Sequence, residues 1–190
     1  MNLPLILDKT FTKIDFTKKE LSKAEYDNCT FINCNFSNSY LSYISFIECE
    51  FIDCNLSSIK VKDTTFKDIL FKDCKILGVL FNNCNPFLLS VSFNKCQLNL
   101  SSFNNLKLKK TQFESCSLKQ TDFSQADLSY SKFIDCNLHL TIFETTNLQH
   151  TDFTSSKNLS INLESNNLKY AKFSKDNVLD LLSSYNLIIE

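Results

Sequence analysis

The chain has 190 residues, the length of one domain, and 43% of them are apolar, enough to bury a core. Its 20 basic and 21 acidic residues are spread along the sequence for a net charge of −1, which excludes the basic footprint of a nucleic-acid-binding domain. A single glycine, Gly78, excludes phosphate-binding loops, dinucleotide fingerprints and the Gly-x-Ser-x-Gly nucleophile elbow.

The opening segment, residues 1–10, reads as a lead-in. MNLPLILDK has no basic region and too short an apolar run for a signal peptide. No apolar stretch in the chain is long enough to cross a bilayer. These features predict a soluble cytoplasmic protein with reduced thiols, and the odd count of nine cysteines agrees.

From residue 11 the sequence repeats every five residues. Phe11, Phe16, Leu21, Tyr26, Phe31 and Phe36 begin a series that runs unbroken to Phe81. A second series starts at Leu88 and ends at Phe173, with Asn158 as its one polar member. Five is neither the helical period nor the strand period. Two residues before each large one stands a small one: Cys29, Cys34, Ser39, Cys49, Cys54 and later Cys96, Ser101, Cys116. Side chains two apart share a face only in extended chain. Each unit therefore has a short extended side with two inward residues, and its remaining residues must turn a corner.

The cysteines set the number of sides. Cys34, Cys54 and Cys74 are twenty apart, and so are Cys96, Cys116 and Cys136. Twenty residues are four sides of five. The step from Phe81 to Leu88 inserts two residues near 82–88. With that correction Phe11, Phe31, Phe51, Phe71, Phe93 and Phe113 begin a column of nine phenylalanines ending at Phe173. Eight steps at strand spacing predict a rod about 38 Å long.

The cysteines also pose the question of a metal. Zinc needs ligands that converge on a point, and a column of parallel side chains does not converge. Buried cysteine as a small apolar residue accounts for all nine positions. His139 and His150 point outward on different sides, without a ligand partner at suitable spacing. A smooth rod offers no cleft for a Ser-His-Asp site. No catalysis, metal or cofactor is expected.

Outward carboxylates are the remaining candidates. Glu48 stacks with Asp68, and Asp53 with Asp73, on adjacent sides. Like charges in such rows repel unless compensated or used. Lys62, Lys67 and Lys72 stand nearby, and the second half mixes Lys95, Lys109 and Lys110 with Asp135 and Glu144. A solvated, compensated surface is the expectation, with an acidic patch for a partner as the alternative.

The tail, residues 174–190, departs from the repeat. Ser174 or Asp176 can cap a short helix. Val178, Leu179, Leu181, Leu182 and Tyr185 give it an apolar side, and NLIIE reads as a strand. These residues can block the open end of the coil. Leu179, Leu182, Tyr185 and Leu187 are also candidates for a dimer interface.

Units such as CNFSN (34–38), ADLSY (126–130), CNLHL (136–140) and TDFTS (151–155) resemble those of the pentapeptide-repeat proteins. The resemblance covers roughly residues 11–173. It implies an all-β fold, a right-handed quadrilateral parallel β-helix. The tail resembles the C-terminal helix and strand of the Qnr-type quinolone-resistance proteins. That narrower resemblance implies a homodimer joined tail to tail and a non-catalytic rod that protects DNA gyrase by imitating duplex DNA. The sequence departs from that type in lacking projecting loops and in being almost neutral. An interaction scaffold or an immunity-type protein with another, non-topoisomerase partner is the alternative. Neither reading has the protein binding nucleic acid or a membrane.

Overall fold

The structure is a computed structural model, and it describes residues 3–182. The chain winds into a four-sided parallel coil. Phe11 pairs with Phe31, Phe31 with Phe51 and Phe51 with Phe71, each a step of twenty. Phe71 pairs with Phe93, a step of 22, and the step then returns to twenty through Phe113 to Phe133. The pairing begins at Leu5–Leu7, whose partner is Glu25–Asp27. The first rung thus lies inside the 1–10 segment read as a lead-in.

The four sides are not equally strand-like. Seven short strands stack on the Phe11 side, from Thr10–Thr12 to Lys132–Ile134. Four stack on the Ile6 side, from Leu5–Leu7 to Thr65–Lys67. The other sides join through single bridges such as Asn35 to Asn55 and Tyr40 to Lys60. Flanking residues explain the difference. Threonine and isoleucine surround the central Phe in Thr10–Thr12 and Thr30–Ile32, and β-branched residues favour strands. On the Phe16 side the preceding residue is Asp15, Asn35 or Asn55. Its side chain accepts the N–H of Thr17, Ser37 or Ser57 and so draws the backbone out of strand geometry.

Most corners are turned by the residue two after the large one. That residue has a positive φ of 50–63° at Asn28, Asn33, Asp53, Asp73, Lys110 and Tyr130, among others. Many of these corner residues are Asn or Asp, which tolerate the left-handed region best after glycine. Gly78, at φ +63°, occupies one such corner. Several turns are closed by a bond from the N–H three residues on, as from Ser39 to the Phe36 carbonyl at 2.8 Å.

Inside, the nine phenylalanines of the Phe11 column stack nearly parallel, with ring centroids 4.8 Å apart at Phe11–Phe31 and 5.5 Å at Phe153–Phe173. A second column, Phe81, Phe103, Phe123 and Phe143, meets the first edge to face. Offset stacks and edge contacts are the two favoured aromatic geometries, and each pair adds about 0.5–1.5 kcal/mol to the burial of its area.

The small inward residue has a second task that its size does not reveal. Cys54, Cys74 and Cys136 donate their thiols to the carbonyls of Phe31, Phe51 and Phe113, each 23 residues back. Thr121, Thr141, Thr151 and Ser131 do the same with hydroxyls, to Leu98, Leu118, Leu128 and Leu108. Where cysteine, serine or threonine holds the position, the side chain is small and also donates. Cysteine meets both needs, as do serine and threonine.

Two expectations of inward residues are corrected. Leu88 is 56% exposed with φ 58°, and Leu89 packs toward the core in its place. Asn85 still holds its neighbour of the previous coil, donating to the Thr65 hydroxyl at 3.1 Å, while Val91 already pairs at the longer step. The extra residues are therefore absorbed between Asn85 and Ser90. Pro86, Phe87 and Leu88 are pushed outward there, because the interior has room for only one large residue per side. Asn158 likewise turns out at φ 59°, and Leu159 is buried instead.

The tail closes the coil. Ser174 accepts the N–H of Asn177 at 3.1 Å, and Asn177 accepts that of Ser174 at 2.8 Å, a reciprocal cap before the helix Val178–Leu182. Ser174 rather than Asp176 is the cap. The Asn177 amide also donates to the carbonyls of Phe153 and Ser156, satisfying acceptors that a further coil would otherwise meet. Leu181 is buried over this end, and Leu179 is 48% exposed. Tyr185, Leu187 and the strand read from NLIIE lie outside the described residues.

Candidate functional site

Function on a closed rod must come from its outer surface, and the corners project furthest. Glu48 and Asp68 occupy the corner between the Ile6 and Phe11 sides, and Asp53 and Asp73 the next corner along. All four are exposed and have positive φ. The left-handed backbone of these corners aims both columns outward at coil spacing. The structure thus brings together the four predicted carboxylates as two parallel rows flanking the Phe11 side. Glu50, on the face between the rows, adds a fifth exposed carboxylate.

The expected compensation takes another form. Among the described residues, ion pairs within 4.0 Å join Lys18 to Asp15, Lys109 to Asp127 and Lys172 to Asp152. None involves the four carboxylates, and Lys62, Lys67 and Lys72 make no such pair. Among the described residues the carboxylates of the patch are therefore not neutralised by contact ion pairs.

The same corner changes character above the insertion. Asp8, Asn28, Glu48 and Asp68 are followed by Lys110, Tyr130, His150 and Tyr170. Tyr130 and His150 stack at 4.5 Å and 9°, and His150 and Tyr170 at 4.9 Å and 29°. The Lys169 ammonium lies 5.2 Å from the centre of the Tyr170 ring. Reading outward residues side by side missed this ladder. The twenty-residue step from Tyr130 to His150 to Tyr170 was the signal available for it.

The nine thiols are all free and buried. Burial pushes Cys49 and Cys84 up to about 12. Each thiol of the long column uses its proton in a bond to a main-chain carbonyl, so it is held as a neutral donor and not as a thiolate ligand or nucleophile. Among the described residues no three of His, Cys, Asp and Glu converge as a metal site. No described helix is long and apolar enough to cross a membrane.

With a five-residue unit, four sides and paired large and small columns in place, a profile described as a pentapeptide repeat region matches residues 24–103, 74–139 and 106–181. The chain belongs to the pentapeptide-repeat family. No curated protein matches it significantly. Solved structures do. A trypsin-treated form of QnrB1, a plasmid-mediated fluoroquinolone resistance protein, is 17% identical over the whole of both chains, with a TM-score of 0.65. Full-length QnrB1 is 20% identical over 96% of this chain and all of its own, with a TM-score of 0.57. HetL, a pentapeptide repeat protein involved in heterocyst differentiation regulation from the cyanobacterium Nostoc sp. strain PCC 7120, is 12% identical over 90% of this chain and 88% of its own, with a TM-score of 0.52. At these identities the likeness is one of fold.

Proposed function

We propose that this pentapeptide-repeat protein is a non-catalytic, protein-binding rod whose acidic lower half docks on a basic protein surface. The observation that carries this reading is the unpaired double row of Glu48, Asp68, Asp53 and Asp73, held outward by left-handed corners. Rows of fixed negative charge along a rod suit a protein groove built to hold duplex DNA, because both present regularly spaced anions to lysine and arginine. Its partner in this reading is DNA gyrase or another type II topoisomerase, in the cytoplasm. The protein then shields that enzyme from quinolone-like poisons. The whole-length likeness in fold to QnrB1 supports this choice of partner.

The test is gyrase supercoiling with and without ciprofloxacin as the protein is titrated in. Rescue of supercoiling in the presence of the drug, lost in the fourfold variant Glu48→Gln, Asp53→Asn, Asp68→Asn, Asp73→Asn, is the expected result. Neither rescue nor inhibition over a wide concentration range would sink the topoisomerase reading.

A second reading is favoured by the change of sign above the insertion. A DNA mimic needs a continuous negative stripe, and here the stripe stops at Asp68 and gives way to Lys110. An interaction scaffold or immunity-type protein with another partner needs only the lower patch. Pull-down with the same fourfold variant as control separates the two, since a scaffold's partner is a protein other than a topoisomerase. In either reading the tail, with Leu179, Leu182, Tyr185 and Leu187, is proposed to join two copies end to end.

A further inference from the structure

The corner between the Ile6 and Phe11 sides is bipolar although the chain is nearly neutral. Below the insertion this corner and the columns one before, one after and two after it carry Asp8, Asp27, Glu48, Glu50 and Asp68 against Lys9 and Lys67, a net charge of −3. Above it they carry Lys109, Lys110, Lys132, Lys169 and Lys172 against Asp152, a net charge of +4. Four corner residues lie on each side of the break: Asp8, Asn28, Glu48 and Asp68, then Lys110, Tyr130, His150 and Tyr170. At the break the corner residue is missing. Ser90 donates to the Phe66 carbonyl, and its own carbonyl accepts directly from Ile69. A groove of about 420 Å³ opens there, with Asp68 and Leu70 on one side and Lys110 and Gln112 on the other. Phe87 and Leu88, 71% and 56% exposed, immediately precede this stretch in the chain.

We propose that two copies of this chain pair edge to edge and antiparallel along this corner, about a twofold axis at the break, so that the acidic half of each lies against the basic half of the other. The symmetry fixes the partners. Equal numbers of rungs lie on both sides of the axis, so the rung before the break faces the rung after it. Asp68 then lies opposite the second copy's Lys110. One rung further out, Glu50 lies opposite the second copy's Lys132, and Glu48 opposite its Tyr130. At the far ends the exposed ring of Tyr170 meets the second copy's Leu7 and Asp8. Each contact occurs twice, as an isologous interface requires. The one like-charge meeting, Lys67 with Lys109, is softened because Lys109 already pairs with Asp127 at 3.2 Å. The exposed apolar pair Phe87 and Leu88 belongs to the coil that the axis crosses, and interfaces bury their apolar residues near the centre. A second copy is the occupant that uses both halves of the edge at once. A nucleic acid would use only the upper half and be repelled by the lower.

Charge reversal on the full chain tests this. Asp68→Lys and Lys110→Asp are compatible with the fold, because lysine and aspartate already occupy equivalent corners at Lys13, Lys95, Asp53 and Asp73 with the same φ. Sedimentation equilibrium is run at low and high salt. The expected low-salt mass is at least twice the high-salt mass, since an edge held by exposed charges is screened. Each single reversal is expected to weaken the salt-sensitive association at least about tenfold, and the double variant Asp68→Lys/Lys110→Asp to restore it. Circular dichroism checks that each variant is folded. A mass that ignores salt, or a double variant no better than the singles, overturns the proposal. So does a protein that does not self-associate yet binds a fluorescent oligo(dT) through Lys110, which assigns the basic half to nucleic acid.

Discussion

The thiols are the residues whose role changed most between sequence and structure. Their spacing measured the coil, but their bonds to carbonyls 23 residues back were invisible, because hydrogen bonding across coils depends on the pitch. That bond predicts an order of tolerance at Cys54. Serine keeps a small donor, as Ser131 and Ser101 do at equivalent positions, so Cys54→Ser is expected to cost about 1 kcal/mol or less. Cys54→Leu overfills a close-packed column and is expected to cost about 1–3 kcal/mol. Urea denaturation of the two variants checks the order. The buried thiols also set an alkaline limit. Cys49 and Cys84 are raised from an ordinary 9.0 to about 12, so the folded state holds these protons more tightly than the unfolded chain. Tyr26, raised from 10.0 to about 12 chiefly by burial, acts in the same direction. Their contribution is complete below pH 9 and is lost as the pH rises through about 12. Stability measured by urea melts is expected to be flat toward neutral pH and to fall between pH 9 and 12. A stability that holds level through that window would refute the assignment.

At the scale of elements, the side, the corner and the cap differ in how openly the sequence declares them. The sides were legible, because Phe and Leu every five residues have no other explanation. The corners were only half legible. The sequence located the turn, but residues as unlike as Asp73, Lys110, Leu140 and Tyr130 all adopt the left-handed backbone there, so the coil imposes that geometry over local preference. Near the insertion Leu88 was read as inward, because hydrophobicity alone cannot choose between Leu88 and Leu89. The cap was legible in Ser174 and hidden in Asn177, whose amide serves carbonyls of a coil more than twenty residues back. Asn177→Ala removes half of the reciprocal cap and leaves the Phe153 carbonyl without that donor. The expected loss is about 1–3 kcal/mol, seen as faster amide exchange near Phe153 and Ser156 than near Phe51. Uniform exchange along the coil would show that the cap does not hold the end. Leu179→Asp, on the exposed side of the same helix, should leave the melting temperature unchanged and weaken only a tail-mediated association.

The whole molecule is a stack of similar layers, and each layer touches only its neighbours. In such a solenoid stability is close to a sum over layers and their interfaces, so a complete layer can be removed without loss of the fold. Deleting Gln112–Ser131 removes one full coil and joins Thr111 to Lys132, both already placed for the Phe11 side. Phe93 then stacks on Phe133, and every column stays in register. Deleting only Gln112–Ala126 removes three sides and leaves the large inward columns rotated by one side, setting Leu128 where the Phe column expects an aromatic ring. The twenty-residue deletion is expected to keep a cooperative melt at a lower temperature, and the fifteen-residue deletion to lose cooperativity. Equal behaviour of the two would contradict a four-sided coil. The same deletion also reports on function. It leaves the lower carboxylate rows whole but removes the rung of Tyr130 from the upper half of the bipolar edge. Binding of a basic partner to Glu48, Asp53, Asp68 and Asp73 should survive it, because those residues lie below the cut. Edge-to-edge pairing should weaken, because three upper rungs can no longer match four lower ones about the break. Loss of both properties together would mean that partner and second copy use a single surface extending above the insertion.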